Sequence, residues 1–149
     1  MKKEAHASFF IRKGVNMKQL VLKTYRITDI QFQNHANTNG KAKLKTEYTY
    51  QVKFSNNNVC RGEMKVSISD EENPETFKLN ITLVGIFEIV SAQDREMLHK
   101  ESFKQLYPFA RAAVSTISSN TGILPIIIPD VDIDSQDIYA YNPEFFSKK

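Results

Sequence analysis

The sequence predicts an α+β fold in which helices cover one face of an antiparallel sheet. Two observations lead to this prediction. Apolar and polar residues alternate over most of residues 20–90, as expected for half-buried strands, and helical spacing begins only near Gln93. A chain that places its strands first and its helices second usually gathers the helices on one side of the sheet.

The first three predicted elements are strands. Leu20–Gln33 changes its apolar phase near Asp29, which indicates a bulge or a bend. Lys45–Phe54 and Val59–Ser69 both alternate cleanly. The asparagine-rich residues 55–58 between them predict a hairpin turn, because asparagine tolerates left-handed backbone geometry.

The fourth predicted strand is Phe77–Val90, which follows an acidic turn. Around Val84–Phe87 both faces of this strand become apolar. That end is therefore expected to be buried on both sides or to face a partner. Gly85 within it predicts a close backbone approach or a bulge.

Two helices are predicted after the strands. Pro108 is expected near the first turn of the main helix, or to kink it, because proline lacks a backbone donor. Asn120–Gly122 predicts where this helix ends. Asp134 or Ser135 can cap a short final helix that reaches about Phe146. The apolar positions of the main helix are Leu106, Phe109, Ala110, Ala113 and Ile117.

Length and composition indicate one globular domain. The chain has 149 residues, of which 41% are hydrophobic, and only 5 Gly and 5 Pro. We expect residues 1–19 to be a flexible N-terminal extension, residues 20–146 to be the single domain and residues 147–149 to be a short tail. The net charge of +3 combines both signs and is weak evidence for nucleic-acid binding.

The cellular compartment is predicted to be the cytoplasm. Cys60 is the only cysteine, which excludes an intrachain disulfide and fits a reducing compartment. The apolar run Phe9–Ile11 is too short for the core of a signal peptide. No stretch has the length of a membrane span, so membrane insertion is not expected.

Motifs for catalysis or metal binding are weak. Asp130, Asp132 and Asp134 have the spacing of a calcium loop, but Ser135 and Tyr141 stand where glycine and glutamate are needed. We interpret this segment as a loop whose Val131 and Ile133 point inward. The three histidines, which are His6, His35 and His99, lack ligand spacing and are predicted at the surface. No enzyme, metal or cofactor is expected.

Two segments allow alternative interpretations. The apolar run Ile123–Ile128, held by Pro125 and Pro129, predicts either a loop buried between helix and sheet or the wall of a groove for extended apolar peptide. Alternating lysines followed by two tyrosines allow a single-stranded nucleic-acid-binding module or a protected edge strand. These residues are Lys41, Lys43, Lys45, Tyr48 and Tyr50.

From Tyr25 to Tyr141 the chain resembles the SecB family of bacterial protein-export chaperones and their SecB-like relatives. The resemblance rests on the order and spacing of several segments, none of which is specific alone. The segments are Asp29–Phe32, Gly85–Ile89, Leu106–Arg111 at the opening of the long helix, Ser115, Gly122, and Leu124–Pro129.

The resemblance implies a four-stranded antiparallel sheet with two C-terminal helices on one face, in a homotetramer built as a dimer of dimers. The long helices would pack at its centre through Ala110, Ala113, Val114 and Ile117. Grooves lined by sheet residues and the interhelix loop would hold polypeptide. The expected groove residues are Phe54, Ile86, Phe87, Tyr107, Ile123, Leu124, Ile126 and Ile128.

The implied function is that of an ATP-independent holdase, which keeps unfolded or apolar polypeptide segments soluble, with protein export through the SecA motor as one role. Export SecB proteins are usually acidic and meet SecA through acidic sheet surfaces, whereas this chain has a pI near 8.9. A SecB-like chaperone dedicated to one client, such as an antitoxin in a toxin–antitoxin system, is therefore the alternative. No nucleic-acid partner is expected under either interpretation.

Overall fold

Four antiparallel strands form one sheet in the order β1-β4-β3-β2 in the computed structural model. The structure describes residues 19–36, 43–91 and 94–135. The strands are β1 (Leu20–Asn34), β2 (Leu44–Phe54), β3 (Val59–Asp70) and β4 (Phe77–Ile89). Each lies within one or two residues of its predicted bounds, which confirms the strand part of the prediction.

A single long helix, α1 (Arg95–Ser119), covers one face of the sheet, here called the inner face. A short 3₁₀ turn, Ile133–Ser135, follows it. The antiparallel sheet with a helical layer on one face therefore confirms the predicted fold class. The second predicted helix, as well as most of the N-terminal extension and the tail, lies outside the described residues.

Bulges keep the apolar residues of β1 on the inner face. The pairing of β1 with β4 shifts between Leu22 and Thr24 and again between Ile27 and Asp29. Each shift adds one residue to β1, so the alternation restarts on the same side. The sequence predicted the second bulge, near Asp29. The inner-face residues of β1 are Leu20, Leu22, Tyr25, Ile27, Ile30 and Phe32.

The β2–β3 hairpin turns at its asparagines, as predicted. Asn58 has a φ of 56°, the left-handed conformation that asparagine tolerates better than most residues. The backbone N–H of Ser55 donates to the carbonyl of Val59 across the turn. This geometry fixes the register in which Phe54 faces Cys60.

Helix α1 begins at Arg95, so the first of the two expectations for Pro108, a position near the first turn, was wrong. The Asp94 side chain caps the helix by accepting a hydrogen bond from the N–H of Met97. Pro108 therefore lies in the middle of a 25-residue helix instead of its first turn. The proline is exposed, so the carbonyl that loses its usual partner lies on the solvent side.

Two glycines opposite each other allow the helix to approach the sheet. Gly62 pairs with Gly85 in the β3–β4 ladder. A Cβ on Gly85 would lie within 3.1–3.2 Å of Leu22, Leu106 and Phe87. Gly85 therefore provides a close approach, which is the first of the two alternatives predicted for it. The bulges of the β1–β4 pair lie in β1 and not at Gly85.

Candidate functional site

A segment without regular secondary structure follows α1 and carries the two most exposed large hydrophobic side chains among the described residues. Leu124 is 86% exposed and Ile127 is 75% exposed, and both flanking prolines are exposed as well. Between them, Ile126 is half-buried and Ile128 is only 1% exposed. We call residues Ile123–Pro129 the apolar loop. It is anchored on one side and presents apolar side chains on the other.

Three side chains of α1 hold the backbone of the apolar loop. The Ser118 hydroxyl oxygen accepts a hydrogen bond from the N–H of Ile126 at 2.8 Å. Arg111 Nε donates to the Ile128 carbonyl at 2.8 Å, and Tyr107 Oη donates to the Pro129 carbonyl at 2.8 Å. Because these partners are spaced along one helix, the loop runs back alongside α1 in a fixed conformation.

Two ion pairs extend this attachment beyond Pro129. Arg111 Nη1 lies 2.6 Å from Asp130, and Lys104 Nζ lies 2.7 Å from Asp134. The hydrogen bond that Lys104 donates to Asp134 raises the pKa of Lys104, although desolvation opposes this effect. Burial raises the pKa of the Tyr107 phenol, which therefore stays protonated as a donor to the loop.

The calcium-like aspartate segment is thus part of the attachment of the loop. Asp130 and Asp134 each face a cation of α1. Val131 is half-buried and Ile133 is 1% exposed, which confirms that both side chains point inward. Within the three described stretches, no group of three acidic, histidine or cysteine residues is placed to hold a metal ion.

The sequence of the chain identifies its family. Residues 11–143 match the profile of the family described as SecB, preprotein translocase subunit SecB. The chain belongs to the SecB family. This match covers most of the 149 residues and includes all four strands, α1 and the apolar loop.

Two curated proteins and one solved structure are similar to this SecB-family chain. The protein-export protein SecB of Bradyrhizobium diazoefficiens is 30% identical over 103 residues, which are 63% of this chain and 62% of that protein. The uncharacterized protein MJ0357 of Methanocaldococcus jannaschii is 24% identical over 100 residues, which are 62% of this chain and 64% of that protein. The matched part thus spans less than two thirds of either relative.

The solved structure is the Mycobacterium tuberculosis Rv1957 SecB-like chaperone in complex with a ChAD peptide from the Rv1956 HigA1 antitoxin. It has a TM-score of 0.62 and 13% sequence identity, and the match covers 82% of this chain and 92% of that chain. At this identity the likeness shows the fold. It agrees with the sheet order and the helical layer described above.

The predicted groove residues of this SecB-family protein fall into three places. Ile123, Leu124, Ile126 and Ile128 lie in the apolar loop, where Ile128 is 1% exposed, and Tyr107 of α1, which is 5% exposed, anchors that loop. Phe54 is half-buried at the end of β2, with the Arg95 guanidinium 4.8 Å above its ring.

Two predicted groove residues of the sheet are separated from the apolar loop. Phe87 is fully buried in the core, where it offers no surface to a ligand. Ile86, its neighbour in β4, is half-buried on the opposite face, which we call the outer face. Adjacent residues of a strand point to opposite sides, so both cannot line one groove.

The four helix residues that were predicted to pack between protomers differ in their burial. Ala110 and Val114 are fully buried against the sheet of their own chain. Ala113 and Ile117 are half-buried. The large apolar side chains of α1 that remain exposed are Met97 and Phe109, at 44% and 40%, and the Phe109 ring centroid lies 4.5 Å from that of Tyr25.

An exposed apolar strip on β1 was missed in the sequence. Tyr25, Ile27 and Ile30 point to the inner face but remain 36–50% exposed, although α1 contacts β1 through the Phe109–Tyr25 ring pair and the hydrogen bond from Leu22 N–H to Gln105. The sequence does contain the pattern that predicts this strip. Once both bulges are counted, three large apolar residues recur on one face of β1, which is an edge strand. We call Tyr25, Ile27, Ile30 and Phe109 the β1 edge patch.

The cysteine and one histidine are buried away from these surfaces. Cys60 is 1% exposed, and burial raises the pKa of its thiol to about 11, which makes it unreactive. His99 is 2% exposed, so its predicted surface position was wrong. None of the described helices is long and apolar enough to cross a membrane.

Proposed function

We propose that this SecB-family protein is an ATP-independent chaperone that holds apolar segments of unfolded polypeptide on the apolar loop. The observation that carries the proposal is the exposure of Leu124 and Ile127, at 86% and 75%. Apolar side chains that remain exposed together commonly mark an interaction site. A holdase acts by mass action, because binding the unfolded chain lowers its free concentration and slows aggregation.

The attachment of the loop supports this function. Its backbone is held at Ile126, Ile128 and Pro129 by side chains of α1, and two prolines restrict its dihedral angles. The loop therefore loses little conformational entropy when a client binds. Each apolar side chain that a client buries fully against the loop contributes about 1.5–3 kcal/mol.

The proposed contact residues are those with accessible apolar surface on the inner side of the fold. Leu124 and Ile127 are the principal contacts, and half-buried Ile123 and Ile126 extend them. Half-buried Phe54 lies beside Arg95 at the other end of α1 and is proposed as a separate contact. Tyr107, Phe87 and Ile128 support the surface from within the core. Ile86 is assigned to a different surface because it faces the other way.

A chaperone dedicated to one client, such as an antitoxin, is the second candidate. The observation in its favour is the charge of the outer face. Seven basic and four acidic side chains of the described strands point there, so the face has an excess of three positive charges. Export SecB proteins meet SecA through acidic sheet surfaces. A SecA partnership is therefore no part of this proposal.

The two tyrosines that favoured nucleic-acid binding in the sequence are not available for base stacking. Tyr50 is 1% exposed and Tyr48 is half-buried, and both rings pack against Phe103 of α1. Lys45 points to the outer face, away from them. Bases cannot stack on these rings. A gel shift with single-stranded DNA at low salt is expected to show no complex.

We further propose that the protein assembles as a homotetramer, a dimer of dimers. The β1 edge patch leaves Tyr25, Ile27 and Ile30 exposed beside a 15-residue strand edge that no other described strand pairs with. A second copy can cover both the apolar residues and the free backbone groups. Light scattering is expected to give about four times the 17.1 kDa chain mass, and a stable monomer would contradict the assembly.

Suppression of aggregation tests the chaperone function. A chemically unfolded client is diluted into buffer with a several-fold excess of this protein, with and without ATP, and light scattering is followed. The proposal predicts reduced scattering that ATP does not change. If scattering is unaffected, a general holdase is ruled out. Co-production with a neighbouring antitoxin, where the genes encode one, then tests the single-client candidate through the solubility of that antitoxin.

A further inference from the structure

A strip of apolar residues lies on the outer face, where strands usually present polar side chains to water. Val84 points to this face yet is only 4% exposed, and Ile86 and Val59 are half-buried. Val21 is 39% exposed beside them. In the register Val21 and Val59 lie on either side of Glu88, and Ile86 and Val84 precede Glu88 along β4, with Glu63 paired to Val84. The four apolar residues therefore neighbour one another around Glu88, whose carboxylate lies 3.5 Å from Lys23 Nζ. We call these four residues the outer apolar strip.

Basic side chains border this strip. Arg61 pairs with Ile86 on one side, and Arg26 pairs with Val84 on the other. Lys53 lies directly opposite Arg61 in the β2–β3 ladder. Like charges at paired positions repel each other, so this arrangement costs stability in the free protein.

The two cations of this pair differ from other cations of the same face. Lys23 lies 3.5 Å from Glu88, Lys45 lies 3.8 Å from Glu47, and Lys78 lies 3.1 Å from Glu75. Among the described residues, Lys53 and Arg61 have no such carboxylate within ion-pair distance, and the same is true of Arg26 and Lys65 on this face. Lys53 and Arg61 are exposed, and an anionic partner would remove their mutual repulsion.

We propose that the outer apolar strip and its basic border bind an acidic polypeptide segment that carries apolar side chains. Charge complementarity selects the acidic groups, and the strip accepts the apolar groups. The composition of the face favours a polypeptide over a nucleic acid. Four carboxylates lie among the cations, and no aromatic side chain of the described strands points outward for base stacking.

This site is separate from the proposed client site. The apolar loop packs on α1 at the inner face, whereas Ile86 and Arg61 lie on the other side of the sheet. The sheet core of Phe87, Leu83 and Met64 stands between them. Both sites can therefore be occupied together, and each can fail its test independently.

Binding of a labelled peptide tests the inference. The probe is a fluorescein-labelled peptide of Glu-Glu-Leu repeats, titrated by anisotropy near physiological salt, where charges beyond roughly 8 Å are screened. The double variant Lys53→Gln, Arg61→Gln is expected to bind the probe at least about tenfold more weakly. Ile86→Ser is expected to weaken binding as well, because it removes the centre of the strip.

Matched controls separate this site from general charge attraction. The double variant Lys45→Gln, Lys78→Gln makes the same charge change on the same face, but at cations that already have carboxylate partners. It is expected to keep the affinity within about twofold. The variant Leu124→Ser, Ile127→Ser should also bind the probe normally.

Several results would overturn the inference. They are the absence of probe binding to the wild type, equal losses in the test and control double variants, equal affinity for a Glu-Glu-Ser peptide, and loss of binding in the apolar-loop variant. Tighter binding of a thymidine oligonucleotide than of the peptide would assign the face to nucleic acid instead.

Discussion

Gly62 and Tyr50 form the most constrained contact described in the core. A Cβ on Gly62 would lie 2.2 Å from Tyr50 Oη, which donates a 2.7 Å hydrogen bond to Ser102 Oγ of α1. Gly62→Ala must displace the Tyr50 ring and this bond. We expect the free energy of unfolding to fall by roughly 2–4 kcal/mol, as measured by urea denaturation.

Tyr50→Phe is the control for this substitution. It removes the hydrogen bond to Ser102 but keeps the ring, so a loss of about 1–2 kcal/mol is expected because the Ser102 hydroxyl stays buried. A Gly62→Ala protein that is as stable as the wild type would show that the core accommodates the methyl group without moving Tyr50.

Buried His99 makes stability depend on pH. Burial, with a smaller effect of the nearby Lys100 charge, lowers the pKa of His99 from 6.5 to about 4. In the unfolded chain the imidazole gains its proton near the usual pKa, so the unfolded state binds more protons between about pH 6.5 and 4. The free energy of unfolding therefore falls across this window, by roughly 3 kcal/mol from this group.

Substitution of His99 isolates this effect from the carboxylates that titrate nearby. His99→Phe keeps an aromatic side chain beside the Tyr50 ring, whose centroid lies 5.1 Å from that of the imidazole. Denaturation curves at pH 7 and pH 4.5 should show a smaller loss of stability in His99→Phe than in the wild type. Equal losses in the two proteins would contradict the assignment to His99.

Some residue positions could be predicted from the sequence and others could not. The alternation around Asp132 predicted that Val131 and Ile133 point inward, because neighbours of an extended chain face opposite ways. The burial of His99 was not predicted. It shares a helix face with Phe103, but a lone histidine is ordinarily exposed, and only the packing of α1 on Tyr50 places it inside.

Among the elements, the strands follow the sequence pattern more closely than the helix does. The phase change near Asp29 predicted a bulge, because a one-residue insertion is what restores an apolar face. The earlier bulge was hidden, since adjacent Val21 and Leu22 blur the alternation there. The place of Pro108 was wrong because its exposed position tolerates the missing donor.

The attachment of the apolar loop to α1 depends on Arg111. Its guanidinium donates to the Ile128 carbonyl and pairs with Asp130, and its side chain is 33% exposed. Arg111→Ala should therefore loosen residues 126–130 more than the rest of the fold. We expect hydrogen exchange of the Ile126 amide, which donates to Ser118 Oγ at 2.8 Å, to accelerate about tenfold, with little change in the strands.

Lys104→Ala provides the comparison for Arg111→Ala. It removes the ion pair to Asp134, but both side chains are about half exposed, and such pairs contribute only about 0–1 kcal/mol. Exchange of the Ile126 amide should change little. If both variants accelerate exchange equally, or if Arg111→Ala accelerates exchange in the strands as well, the loop is not held mainly by Arg111.

At the scale of the whole molecule, the fold class and the family could be predicted before the site. Order of elements and spacing of segments identify a SecB-like chain, and the family match over residues 11–143 agrees. The sequence could not separate groove from core. The eight apolar groove candidates cannot be told apart by residue type or spacing. Only the hydrogen bonds from α1 determine that the Ile128 side chain is buried while the Ile127 side chain is exposed.

The central proposal is that the apolar loop holds unfolded chain. Leu124→Ser with Ile127→Ser removes its two most exposed apolar side chains without touching the core. Val90→Ser with Met97→Ser is the matched control, because Val90 and Met97 are also exposed, at 56% and 44%, and lie outside the loop.

The most direct measurement is the affinity of these proteins for a reduced, carboxymethylated polypeptide that cannot refold, followed by fluorescence anisotropy. The account predicts that the loop variant binds at least about tenfold more weakly than the wild type, because two buried apolar contacts are lost. The control variant should bind like the wild type. Equal affinity of the loop variant and the wild type would contradict the proposal that this loop holds the client.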